Sequence, residues 1–194
     1  MERVVQYFEV EADYEHFSDR WFLDDPVNEQ GDLIDPREFR YGHRYNGSKP
    51  VHLPVDRPGW EVAFNLGPFN MPVITKEVGE ILGRLAKNEI ERFPVSVGPQ
   101  RGNGWEIMNA ISTVPCVDER KSHFTRFGND APQKRLIGKY QMFLKLRIDP
   151  AKAAGHHIFR IKDWVVALIV SDEIRRALIP VKNLGIVFLP VTDI

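Results

Sequence analysis

A second cysteine is missing from this sequence. Cys116 stands alone among 194 residues, so no internal disulfide can form and nothing points to an oxidising compartment. A long apolar run is missing too. The longest, "WVVALIV" from Trp164 to Val170, is far too short to span a bilayer. The opening stretch "MERVVQYFEVEADYEHF" is acidic and has no continuous apolar segment of the kind a secretory leader carries. The expectation is a soluble, cytoplasmic protein with no membrane partner. Phosphate-binding patterns are absent as well. "GPQRGNG" is rich in glycine but matches neither GxGxxG nor GxxxxGK[ST], and it leads into a strand-like run.

Metal patterns are equally scarce. His156 and His157 are adjacent, and neighbours on a strand point to opposite faces, so they do not share one ion. Asp24, Asp25, Asp32 and Asp35 lack the tight spacing of a calcium loop. No metal and no cofactor are expected. Short mixed runs such as "DERK", "QKR" and "IRR" read as surface, without a coherent basic stripe, so no nucleic-acid partner is expected. Asn46-Gly47-Ser48 reads as an Asn-Gly turn.

What is present is ordinary globular material. Hydrophobic residues make up 43%, aromatics 11% and charged residues 27% of a 22.4 kDa chain, enough to bury a core without staples. The expectation is a single domain over 1–194, with an acidic, loop-rich segment at 1–60 and a core at 61–194. The net charge of −1 is unevenly spread: residues 1–40 hold twelve acids and four bases, or −8, leaving +7 for the rest. Either the fold brings the two regions together to neutralise, or the acidic segment faces a charged partner. Within it, Asp24, Asp25, Glu29, Asp32 and Asp35 with Tyr41 and Tyr45 form the candidate contact surface.

Hydrophobic patterning outlines the elements. Residues 3–10 read as a strand. Residues 24–60 are rich in Pro, Gly, Asp and Asn, too long for a plain loop in a compact domain. Thr75 is placed to cap a helix whose apolar face is Val78, Ile81, Leu82, Leu85 and, at its far end, Ile90, with Gly79 and Gly83 allowing close packing and Pro94 ending it. A strand-like run goes from Trp105 to Val117. In 139–149, Tyr140, Met142, Leu144, Leu146 and Ile148 alternate with polar residues, as on a half-buried strand. Residues 157–171 predict a hairpin turning at Lys162-Asp163, with Trp164–Val170 central. Ser171 then caps a short helix closed by Pro180, and 185–191 form a last strand. The class is α+β, a largely antiparallel sheet with a few helices packed on it.

One segment invites a catalytic reading. "MNAISTVPCVDERKS" carries Cys116, Asp118, Glu119 and Ser122, and His123 follows. A cysteine-dependent hydrolase would use Cys116 with His123 and a carboxylate. Yet no helix starts at Cys116, and free cysteine is among the most buried residue types. The other reading is a strand that ends at Cys116-Val117 and runs into a charged turn, with Asp118 as anchor and Ser122 as a local cap.

The blocks "NMPVITKEVGEIL", "ERFPVSV", "WEIMNAISTVPCVDERKS", "HHIFRIKDWVVALIVSDEIRRALIP" and "LGIVFLPV" occur in an order that resembles family eleven of the immunity proteins of bacterial polymorphic toxin systems. The resemblance covers about residues 60–192, and its pattern includes the Phe159-Arg160 pair. It implies a cytoplasmic antidote, without catalytic activity, that binds and neutralises a cognate toxin domain encoded nearby, often a nuclease. A regulatory or scaffold module with another protein partner remains an alternative.

Overall fold

The computed structural model describes residues 5–47, 49–99 and 102–193. Arg3 and Val4 of the first predicted strand, Ser48 of the predicted turn, and Gln100 and Arg101 of the glycine-rich "GPQRGNG" run lie outside the described residues. Two five-stranded sheets form the frame. The first runs β14 (Ile186–Pro190), β1 (Tyr7–Ala12), β13 (Trp164–Ser171), β12 (Ile158–Ile161) and β9 (Thr113–Val114), antiparallel except for the β12–β9 pair. The second runs β3 (Val51–Leu53), β7 (Ile90–Val97), β8 (Gly102–Ala110), β6 (Pro72–Thr75) and β5 (Phe64–Leu66), with only β3–β7 parallel. Two ribbons complete it: β2 (Phe22–Leu23) with β4 (Val55–Arg57), and β10 (His123–Arg126) with β11 (Tyr140–Lys145). The class is α+β and antiparallel pairing dominates, but over several mixed sheets and not one.

The helices start where local chemistry places them. In α1 (Lys76–Leu85) the Val78 N–H donates to the Thr75 hydroxyl, and Val78 and Leu82 are buried. In α3 (Asp172–Leu178) the Ile174 N–H donates to the Ser171 hydroxyl. A Cβ on Gly79 would sit 2.2 Å from the Glu106 carboxylate, which pairs with Arg92 at 2.9 Å. The glycine thus lets α1 lie against that ion pair. A four-residue helix, α2 (Pro150–Ala153), is capped by Asp149. Pro94 does not end α1. The helix stops at Leu85, Ile90 opens β7 instead of extending the helical face, and Pro94 sits inside β7, just before the Val95–Val97 stretch that pairs with β3. The strand-like run from Trp105 also breaks, at Ile111-Ser112, between β8 and β9.

Three apolar cores follow from this frame. The central one joins both sheets to α1 and α3, through Phe8, Phe64, Met108, Val170, Leu82 and Ile174 among others. A second joins the first sheet to the β10–β11 ribbon. A third joins the second sheet to the N-terminal segment, through Trp21, Leu23, Phe39 and Tyr45. The first sixty residues therefore contribute to all three cores. β1 lies between β13 and β14, so the sheet of the C-terminal half is completed from the N-terminal segment.

The expected face of 139–149 is corrected by the structure. Tyr140, Phe143 and Leu146 turn inward, whereas Met142 and Leu144 are exposed, Leu144 at 79%. The cause is two bulges. Phe124 faces Phe143 and Thr125 faces Met142, but His123 faces Lys145 and Arg126 faces Tyr140, so Leu144 and Gln141 are left without a facing residue. Each bulge adds a residue and resets the face, turning a period of two into a period of three.

Candidate functional site

The segment around Cys116 is a structural root. Asp149 N–H donates to the Cys116 carbonyl, Asp118 N–H to the Arg147 carbonyl, and Val117 bridges Ile148. Asp118 anchors the turn as expected: its carboxylate accepts from Arg120 N–H, and its carbonyl accepts from Lys121 and Ser122. Ser122 is not a local cap. Its hydroxyl donates to the Arg147 carbonyl and accepts from the Arg147 N–H, both at 3.0 Å. Glu119 accepts from Tyr140 Oη at 2.7 Å and pairs with Arg126, which together hold its carboxyl below the usual range. Lys121 pairs with Asp193 at 2.5 Å. The block thus ties the base of the β10–β11 ribbon to the first sheet.

Cys116 itself is fully buried in the second core, and burial pushes its thiol up to about 12. His123 is exposed on β10, facing Lys145 across the ribbon. A protonated, enclosed thiol is not a nucleophile, so the Cys116–His123 hydrolase reading has no structural footing. Cys116 in the folded protein should stay unlabelled by a maleimide-type reagent at pH 8, and should react fully once urea unfolds the chain. Rapid labelling without urea would refute this burial.

The two adjacent histidines lie just before β12 and not on a strand. His156 pairs with Glu89 at 2.8 Å and His157 Nδ1 lies 3.0 Å from Ser171 Oγ. The Glu89 carboxylate also accepts from the His157 and Ile158 N–H groups, which fixes the entry to β12. Among the described residues no His, Cys, Asp and Glu group is arranged to hold a metal, and no helix is long and apolar enough to cross a membrane.

The acidic segment is ordered by long-range bonds. Val27 and His52 exchange N–H···O bonds of 2.9 and 2.8 Å, and Ile34 N–H donates to Pro26. Asn28 accepts from Gln30 and Asp32 N–H groups, shaping a tight loop with Leu33 on its exposed side. Asp24, Glu29, Asp32 and Asp35 are exposed, while Asp25 and Tyr41 are partly covered. Asp35 also caps the 3-10 turn Pro36–Phe39 and pairs with Arg37 at 3.2 Å. Tyr45 belongs elsewhere. At 6% exposure it packs between Phe39 and Phe93, with ring centroids 4.6 and 5.7 Å away, so it offers no contact surface.

The opposite charge is also localised, which sequence reading missed. Residues 120–147 hold eight bases and one acid, Asp130, for a net +7, equal to the whole excess of residues 41–194. Within that stretch the β10–β11 ribbon and its connecting loop, residues 123–145, hold five bases and Asp130, a net +4, and form the coherent basic element judged absent. Among the described residues no ion pair joins it to the acidic segment, although Glu9 and Glu11 line the same cleft as Lys145 and Arg147. The charge count was available in the sequence. The exposure of Met142 and Leu144 was not, because it depends on the bulges.

Two comparisons bear on this arrangement. Residues 100–193 match the model of an immunity protein family, Imm11. This stretch holds the ribbon, the turn at its root, β12, β13, α3 and β14. A search of curated proteins finds no match.

Proposed function

We propose that this chain is an immunity protein, which binds a cognate bacterial toxin domain encoded nearby and neutralises it through a tight protein–protein complex. It acts in the cytoplasm, and by binding, not catalysis. The observation that carries this reading is the match of residues 100–193 to an immunity protein family. The burial of Cys116, the one candidate nucleophile singled out in the sequence, supports it.

The toxin on this reading is a nuclease. Nucleases present basic surfaces to their substrates, and an acidic inhibitor surface complements them. Asp24, Asp25, Glu29, Asp32 and Asp35, with Tyr41 beside them, supply an acidic face held in a defined loop. Opposite charge of this kind mainly speeds encounter and sets salt dependence.

Expression of the adjacent toxin reading frame tests the reading directly. Cells carrying both proteins should survive, and the two should co-purify; no complex would sink the proposal. Reversal of Asp24, Asp25 and Asp32 to Lys, with Asp35→Asn to keep the cap acceptor, should weaken binding about tenfold at low salt and flatten its salt dependence. Unchanged affinity would remove the acidic face from the interface and leave immunity standing.

A further inference from the structure

One face of the β10–β11 ribbon packs in the second core, and the other stays exposed with the make-up of an interface. Among the described residues, three of the ten exposed large apolar side chains fall at Ile137, Met142 and Leu144. The ribbon, its loop and the turn at its root also carry Lys134, Arg135, Lys139, Lys145 and Arg120, none in an ion pair among the described residues. Beside the ribbon a cleft of about 610 Å³ opens between Leu144, Trp164, Leu189 and the β1 carboxylates Glu9 and Glu11. Apolar anchors inside a charged rim are the usual anatomy of a specific protein contact. The bulges that turn Leu144 outward leave it without packing, a cost that a covering partner would offset.

We infer that this ribbon is the docking arm of the complex proposed above, and that the toxin surface it grips is acidic around an apolar hollow. This rests on the immunity reading, and it adds where the grip lies. The ribbon falls within residues 100–193, which match the family, whereas the acidic loop falls outside them. The ribbon is thus the anchor and the acidic loop an accessory that steers. A protein partner fits better than a nucleic acid. The ribbon aromatics Phe124, Tyr140 and Phe143 pack on one another at 4.8–5.7 Å, so the outward face offers Leu, Met and Ile and no stacking platform.

The experiment compares the wild-type chain, Leu144→Asp, and the triple variant Lys134→Glu/Arg135→Glu/Lys145→Glu for binding to the toxin domain expressed from the adjacent reading frame. All four side chains are exposed, and equal melting temperatures confirm that the variants fold. Leu144→Asp should raise Kd roughly 30-fold, chiefly through faster dissociation. The triple variant should slow association and lose salt sensitivity. Wild-type binding with both variants unchanged overturns the ribbon and leaves the immunity reading intact. No wild-type binding overturns both. Two further probes close the alternatives. A fluorescein-labelled single-stranded oligonucleotide that binds at physiological salt and is released by the triple variant would overturn the proposal in favour of nucleic acid. A wild-type dimer in light scattering, dispersed by Leu144→Asp, would overturn it in favour of a second copy.

Discussion

Arg160→Ala should destabilise the protein by about 3–5 kcal/mol, a large fraction of the stability of a domain this size. Arg160 is fully buried on β12 and reaches out of the first sheet. Its Nη1 donates to the Val166 carbonyl at 2.9 Å and its Nη2 to the Asn70 carbonyl at 3.0 Å. Asn70 lies in the turn between β5 and β6, where Phe69 and Asn70 both take the left-handed conformation, with φ of 54° and 60°. Arg40 holds the same turn from the other side, donating to the Phe69 carbonyl at 3.0 Å. The two arginines therefore strap a strained connection of the second sheet, and Arg160 ties it to the first. Burial pushes the Arg160 guanidinium down to about 9, with Arg40 adding to the shift, so it is still cationic at neutral pH.

Truncation to alanine removes two charge-assisted bonds, leaves two carbonyls unpaired and opens a cavity. Arg160→Met separates these effects. It fills the volume and removes a costly desolvated charge, so it should cost only about 1–2 kcal/mol. Chemical denaturation with a common m-value measures both. A loss below about 1 kcal/mol for the alanine variant would mean that the strap carries no weight. The Phe159-Arg160 pair of the family-like pattern thereby acquires a role in holding the sheets together.

How far sequence reading reached depended on the range of the forces involved. The caps at Thr75 and Ser171, the turn at Lys162-Asp163 and the central place of Trp164–Val170 rest on neighbours a few residues apart, and each is present. Features set at long range escaped. Tyr45 looked exposed because its surroundings are polar, yet its ring meets Phe93, 48 residues away. The elements hidden in 24–60 are held by pairings such as Val27 with His52. On β11 the alternation was real in the sequence, but two bulges overrode it, and no propensity marks a bulge in advance. The candidate surfaces show the same division. The acidic loop was legible as composition. The ribbon was legible only as a run of bases, until its register put Leu144 on the outside.

The second large effect concerns pH. Glu9 sits on β1 at the wall of the cleft, and burial, reinforced by Glu11, raises its carboxyl to about 7, with Arg160 acting the other way. Lys145 and Arg147 line the same cleft, and neither forms an ion pair with Glu9. In the unfolded chain Glu9 ionises near the ordinary glutamate value of 4.5. Between these two values the folded state keeps a proton that the unfolded chain has lost. Raising the pH from 4.5 towards 7 therefore lowers stability, by about 3 kcal/mol in all, and above 7 the loss is complete. Glu9→Gln is neutral throughout and carries none of this loss. The variant should match the wild type near pH 4.5 and exceed it at pH 8 by up to about 3 kcal/mol. The difference between the two proteins isolates Glu9 from carboxyls shifted the other way, such as Glu119 and Asp193. Denaturation midpoints across pH 4.5–8 provide the measurement. A constant difference between the two proteins would show that Glu9 is ionised in the fold. A gap that opens between pH 5 and 7 would show a carboxyl kept neutral beside the proposed docking arm, held there at the expense of stability.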